Sequence, residues 1–175
     1  MTINGYGEVL IQKSKNYSIK IEQSDPKQKY RINQLNRTIN INDQKDPFPK
    51  VMQGKGIPIG VPRIIITMPV LLNLTLNGDF EVSLQHFKNN YLTIRATGNG
   101  TIDGVKNQFD HLNIYNQGYI LSNFKDSFIT NADIQLEGFS KAEINMTGGD
   151  LNGDISGQSQ IIHHGEIRSK NIIKH

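Results

Sequence analysis

Four groups of residues in this sequence could do chemistry. Asp103 and Glu143 are acids of the kind that polysaccharide hydrolases and lyases pair, one protonating a leaving oxygen and the other attacking or activating water. His163-His164 is the one adjacent histidine pair, and with His86 and His111 it is the natural place to look for a metal. Asn77-Gly78-Asp79, Gly148-Gly149-Asp150 and Asn152-Gly153-Asp154 carry the carboxylates and turn carbonyls that hold calcium in Gly/Asp solenoids. Tyr115, Tyr119 and Phe139 could present flat apolar rings to a sugar or a partner protein.

Which of these can act together depends on the elements that carry them. No long stretch has helical spacing. Tyr17–Ile21, Thr38–Asn42 and Ile64–Met68 alternate apolar with polar or β-branched residues, the pattern of half-buried strands. Ile64, Ile66 and Met68 share one face. Residues 43–62 hold Pro47, Pro49, Pro58 and Pro62 with Gly54, Gly56 and Gly60, and proline cannot donate to a ladder, so this stretch reads as a loop.

From about Pro69 onward the sequence repeats. Gly78, Gly98, Gly118, Gly138 and Gly157 are spaced by 20, 20, 20 and 19 residues. Six residues before each stands Leu72, Leu92, Leu112, Ala132 or Leu151, and two after those Leu74, Ile94, Ile114, Ile134 or Gly153. Four residues after each stands Val82, Ile102, Ser122, Ala142 or Ile161. Each unit is a short alternating strand, a glycine bend and a second alternating strand, as stacked repeats predict. The leucine-rich-repeat asparagine column is missing, and no six-residue period of a left-handed helix is present. The fold class predicted is all-β, a right-handed parallel β-helix (β-solenoid) of about 20 residues per coil. Five coils at about 4.8 Å would span roughly 24 Å. Residues 1–175 read as one domain, with N-terminal strands over 1–68 and regular coils over 69–175.

This frame weakens most of the chemical readings. Asp103 and Glu143 fall in one outward column, Ser83–Asp103–Asn123–Glu143–Ile162, roughly 9.6 Å apart across two coils. That is the loose end of what an inverting pair tolerates, and no arginine shares the column. Neighbouring histidines on a strand face opposite ways, so His163 and His164 cannot both bind one metal in regular geometry. After the bend glycines the calcium motif's Asp becomes Asn99, Tyr119, Phe139 and Gln158 in the other coils, and turn chemistry accounts for Asn-Gly and Gly-Asp without an ion. No catalytic residue, metal or cofactor is expected. Tyr119 and Phe139 share the column Asp79–Asn99–Tyr119–Phe139–Gln158. Facing out it would suit a sugar ring or a partner, facing in it is core, and the sequence leaves both open.

The motifs also carry a resemblance. Ile3-Asn4-Gly5-Tyr6-Gly7-Glu8-Val9, Ile64-Ile65-Ile66-Thr67-Met68-Pro69, Leu74-Thr75-Leu76-Asn77-Gly78-Asp79-Phe80-Glu81-Val82 and Ile155-Ser156-Gly157-Gln158-Ser159-Gln160-Ile161 with Gly165 resemble the bacterial putative auto-transporter adhesin, head GIN domain family. The resemblance implies a right-handed β-helix on exported or envelope proteins, hence an extracytoplasmic location, an adhesin-like role and no established catalytic residues. The expected function is a non-enzymatic envelope or surface module that binds a glycan or an envelope protein. The alternative is a carbohydrate-active β-helix enzyme.

Composition bounds the rest. The net charge of +3 conceals 11 Lys/Arg against 5 Asp/Glu in residues 1–68 and 8 against 11 in 69–175. No basic run is interleaved with aromatics, so nucleic acid is not an expected partner. There is no cysteine, so disulfides and thiolate sites are excluded. No apolar run is long enough for a transmembrane helix, and Met1–Gly5 lacks the basic start and apolar stretch of an export leader. A solenoid leaves open strand edges at its ends, which must be capped or paired, including by a second copy. Ile172-Ile173 is expected to begin one more strand, with the C-terminal end covered by another chain or frayed.

Overall fold

The computed structural model describes residues 1–5, 7–22, 30–35, 38–43 and 63–175, with 30–35 and 38–43 described by their backbone pairing. The proline- and glycine-rich loop expected over 43–62 lies, apart from Asp43, outside the described residues. The strands are β1 (Thr2–Gly5), β2 (Gly7–Lys13), β3 (Ser18–Glu22), β4 (Tyr30–Leu35), β5 (Thr38–Asp43), β6 (Arg63–Met68), β7 (Asn73–Gln85), β8 (Lys88–Gly138), β9 (Lys141–Thr147), β10 (Asp150–Ile155), β11 (Gln160–Glu166) and β12 (Ser169–Lys174). β8 runs through several corners without losing its ladder. The coils stack in parallel, residue n on residue n+20 as in Gly78↔Gly98, Val82↔Ile102 and Ser83↔Asp103, and on n+19 in the C-terminal coils as in Ala132↔Leu151 and Asp150↔Ser169. The chain is an all-β solenoid of about five turns.

Coil order departs from sequence order at the N-terminal end. β1 and β2 lie directly against β7, with Asn4↔Asn77 and Val9↔Val82 in register. β5 and β6 pair with the other edges of β1 and β2. β4 and β3 then join β5 and β6 antiparallel. β3 carries Ile19 and Ile21 on an exposed edge strand, where the alternating pattern predicted half-burial.

The glycine column has a steric cause. Gly78, Gly98, Gly118, Gly138 and Gly157 all have positive φ, from +69° to +124°, where a Cβ is opposed by the backbone. A Cβ at Gly98 or Gly118 would also stand 2.2 Å from the carbonyl oxygen of the glycine one coil before. Gly5, at φ +109°, extends the column to the N-terminal coil. A second corner is turned by His86 and Lys106 at φ 64° and 53°, and here the polar groups are met from within. Asn107, buried, accepts from the Phe87 amide (2.9 Å) and donates to the Leu84 carbonyl (3.0 Å) and Ser127 Oγ (3.1 Å).

The apolar columns face inward as the repeat predicts. Leu92, Leu112, Ala132 and Leu151 are buried, as are Leu74, Ile94, Ile114 and Ile134. Small residues in these columns are compensated by large neighbours. The Phe124 ring occupies the place of a side chain at Gly104, and Ile161 and Ile172 converge on Gly153. Leu72 is a correction: it is 50% exposed, because β7 begins one residue later and Leu71 reaches the core instead. Asn116 lies in the column of Leu76, Ala96 and Leu136, buried, and donates to Ser122 Oγ at 2.9 Å while its own Oδ1 has no partner.

Three outcomes are expected from chemical denaturation. Gly118→Ala adds backbone strain and a carbonyl clash and should cost about 3–5 kcal/mol. Gly148→Ala, at φ +101° but with open space around its Cα, should cost only the strain, about 1–3 kcal/mol. Asn116→Leu or Ser122→Val alone should cost about 1–3 kcal/mol, and the two together markedly less than their sum.

Candidate binding faces

The bend column faces outward. Tyr119 and Phe139 are 58% and 56% exposed, so the question the sequence left open is decided for the surface. Inside–outside alternation carries straight through the bend glycine, from Leu76 at −2 to the buried Phe80 and Ile120 at +2, which places position +1 in solvent. Leu121, two residues beyond Tyr119, is also exposed, and the three make one apolar strip bordered by Lys141, the register partner of Leu121.

Tyr115 is not part of this strip. It precedes the bend, on the other face of the coil, and its ring lies under the Arg95 guanidinium at 4.1 Å. On that face Tyr91, missed by the repeat reading because it precedes the strong columns, leans on His111 with ring centroids 6.0 Å apart. Its hydroxyl accepts from Asn113 Nδ2 at 2.6 Å. Beyond Tyr115 a shallow trough runs past Asp133, Gln135, Asn152 and Asp154 to Ile173.

The acid pair proposed from the sequence is divided. Asp103 accepts from Asn123, which stands between the two acids, at 3.2 Å. Glu143 binds His164 Nε2 at 2.9 Å and Lys141 Nζ at 3.1 Å. The hydrogen bond from His164, then that from Lys141, holds the Glu143 carboxyl below its ordinary value, the wrong direction for a general acid. A different constellation forms where the N-terminal strands insert. Arg63, Glu8 and Glu81 stand in register on adjoining coils, with Arg63 Nε 3.1 Å from Glu8. With Ser83, Gln85 and Asp103 they line a hollow on the outer face. Sequence spacing could not reveal it, since Glu8 and Glu81 become neighbours only through the displaced coil order.

The histidines separate as strand alternation requires. His163 is in register with the buried Ile144 and points inward, while His164 reaches outward to Glu143. His86 sits at a corner and His111 beside Tyr91. The carboxylates of the Gly/Asp turns are engaged by the chain itself. Asp79 accepts from Asn99 at 3.0 Å, Asp154 lies 3.4 Å from His175, and Asp150 accepts from Arg168 Nε and Ser169 Oγ at 2.9 and 2.8 Å. Among the described residues no three His, Asp or Glu side chains converge as a metal site, and no helix is long and apolar enough to cross a membrane.

The sequence matches the family model described as putative auto-transporter adhesin, head GIN domain, over residues 1–123. The chain belongs to this family. The closing units quoted for the resemblance, Ile155 to Gly165, lie beyond the matched span and continue the same stacking. A crystal structure of a putative adhesin from Bacteroides fragilis shares the fold, with TM-score 0.57 at 13% identity over 98% of this chain and 91% of that one. A putative lipid binding protein from Parabacteroides distasonis aligns at TM-score 0.48 and 14% identity, over 99% of this chain and 88% of that one. A putative cell adhesion protein from Clostridium sporogenes aligns at 0.31 and 11%, over 99% and 91%. No curated protein matches the sequence.

The Asp150 clamp gives a pH prediction. Hydrogen bonds from Arg168 and then Ser169 hold the Asp150 carboxyl down at about 2, from an ordinary 3.8. A depressed folded-state value stabilises the fold above the unfolded value and loses that contribution as pH falls through the folded one. Asp150→Asn should therefore lower the melting temperature at pH 7, and the difference from the parent should shrink between about pH 4 and pH 2.

Proposed function

We propose that this chain is a non-catalytic, adhesin-like binding module exposed outside the cytoplasm, which holds a glycan against Tyr119 and Phe139. The observation that carries the reading is the outward strip of Tyr119, Leu121 and Phe139 on a rigid ladder. Rings one coil apart offer a flat apolar platform to the C–H face of a pyranose, and Lys141, Asn99 and Gln158 at its border can bond to hydroxyls. Membership of an adhesin family agrees with an envelope or surface location.

Binding of purified protein to bacterial and host glycans tests the reading. Tyr119→Ala with Phe139→Ala should weaken glycan binding at least tenfold, about 1.4 kcal/mol, while stability moves by less than about 0.5 kcal/mol. Unchanged glycan binding in the double variant, or capture of an envelope protein with no glycan bound, would overturn it.

A second reading is a carbohydrate-active enzyme, and the Arg63–Glu8–Glu81–Asp103 hollow favours it over the pair first considered. Glu8 and Glu81 lie on adjoining coils, about 4.8 Å apart at the backbone, near the separation of retaining carboxylates. This reading requires turnover of a polysaccharide that Glu81→Gln abolishes. Turnover indifferent to Glu81→Gln and Glu8→Gln would remove it.

A further inference from the structure

The last coil, β11 and β12, breaks the apolar pattern of the coil it stands on. Its inward register positions are only partly apolar. Lys170 stands on Leu151, Ile172 on Gly153 and Lys174 on Ile155. On the other sheet Ile161 stands on Ala142 and His163 on Ile144. Gly165, on Met146, is the sixth inward place, so three of six carry a cationic or titratable side chain, over a column of buried aliphatics.

The outward basic side chains of the same coil do the opposite job. Arg168 grips Asp150 through two nitrogens, His164 meets Glu143 at 2.9 Å, and His175 lies 3.4 Å from Asp154. Each partner acid belongs to the coil beneath. Backbone bonds close the circuit: Gly148 to Glu166, Arg168 to Gly149 and His175 to Ile155 donate at 2.7–3.0 Å. Ile161 and Ile172, filling the place above Gly153, seal the core just beneath. The coil is thus latched down along its rim and charged across its mouth.

We infer that residues 160–175 form a terminal cap whose inward Lys170, Lys174 and His163 close the C-terminal end of the solenoid to a further β-coil, above all to the same end of a second copy. Two such ends meeting would bury four lysines against one another with no acid between them, since Glu166, the one acid of this coil, lies on an outward, exposed position. Inward charges on an edge strand are a recognised defence against edge-to-edge pairing. The end is neither frayed nor in need of another chain. This inference stands apart from the glycan reading and uses none of its residues.

Light scattering at increasing protein concentration tests it. The parent should keep the mass of one chain. Lys170→Leu with Lys174→Leu and His163→Leu should double the apparent mass or form longer end-to-end particles, with an unchanged far-UV spectrum. Should the triple variant not fold, Lys170→Ala with Lys174→Ala removes the charge without adding bulk and should also associate. A parent that already dimerises and crosslinks through Cys placed at Asn171 would overturn the inference. So would folded variants that remain monomeric.

Discussion

Everything in this molecule depends on the backbone contact between glycines of successive coils. At that corner the chain turns with positive φ, and the carbonyl oxygen of one glycine fills the space where the next would carry a Cβ. The contact fixes the rise between coils and the register of both flanking strands at once. A slip of one residue would turn each inward column to solvent. The hydrophobic core supplies most of the stabilisation, as it does in any domain, but the corner decides which side chains belong to it.

The same rigidity explains how the surface is used. Because coils stack in register, side chains of one column meet from coil to coil, and they form ladders such as Asn4–Asn77, Asp79–Asn99 and Asp133–Asn152. These ladders satisfy polar groups along the outer faces. They also absorb the acids that an enzyme would need free, as at Asp103 and Glu143. What escapes the ladders is the aromatic strip at the first corner and the arginine–carboxylate hollow at the N-terminal insertion.

The sequence disclosed the period, the bend glycines and the inward columns because each is written in residue types that sterics restrict. It disclosed less wherever the repeat changes phase. Leu72 occupies the right position in the count but sits ahead of its strand. Tyr119 could not be placed because a glycine bend need not preserve strand alternation, although here the alternation passes through it unbroken. Arg63 and Glu8 were invisible as partners of Glu81, because 73 residues separate two positions that the fold makes adjacent. The pair of isoleucines near the C-terminus correctly announced β12, yet the meaning of the lysines flanking them emerges only once their register with Leu151 and Ile155 is known.

The inserted N-terminal coil also sets an order of assembly. β1 and β2 find their partners only in β5, β6 and β7, all of which come later in the chain. β1 therefore has no partner before β5 and β2 none before β6, and neither is enclosed on both edges until β7 has followed. From β8 onward each coil meets a neighbour already in place. Growth of this solenoid is thus a closure of distant segments followed by a simple winding, and the slow step belongs to the coil of β1 and β2.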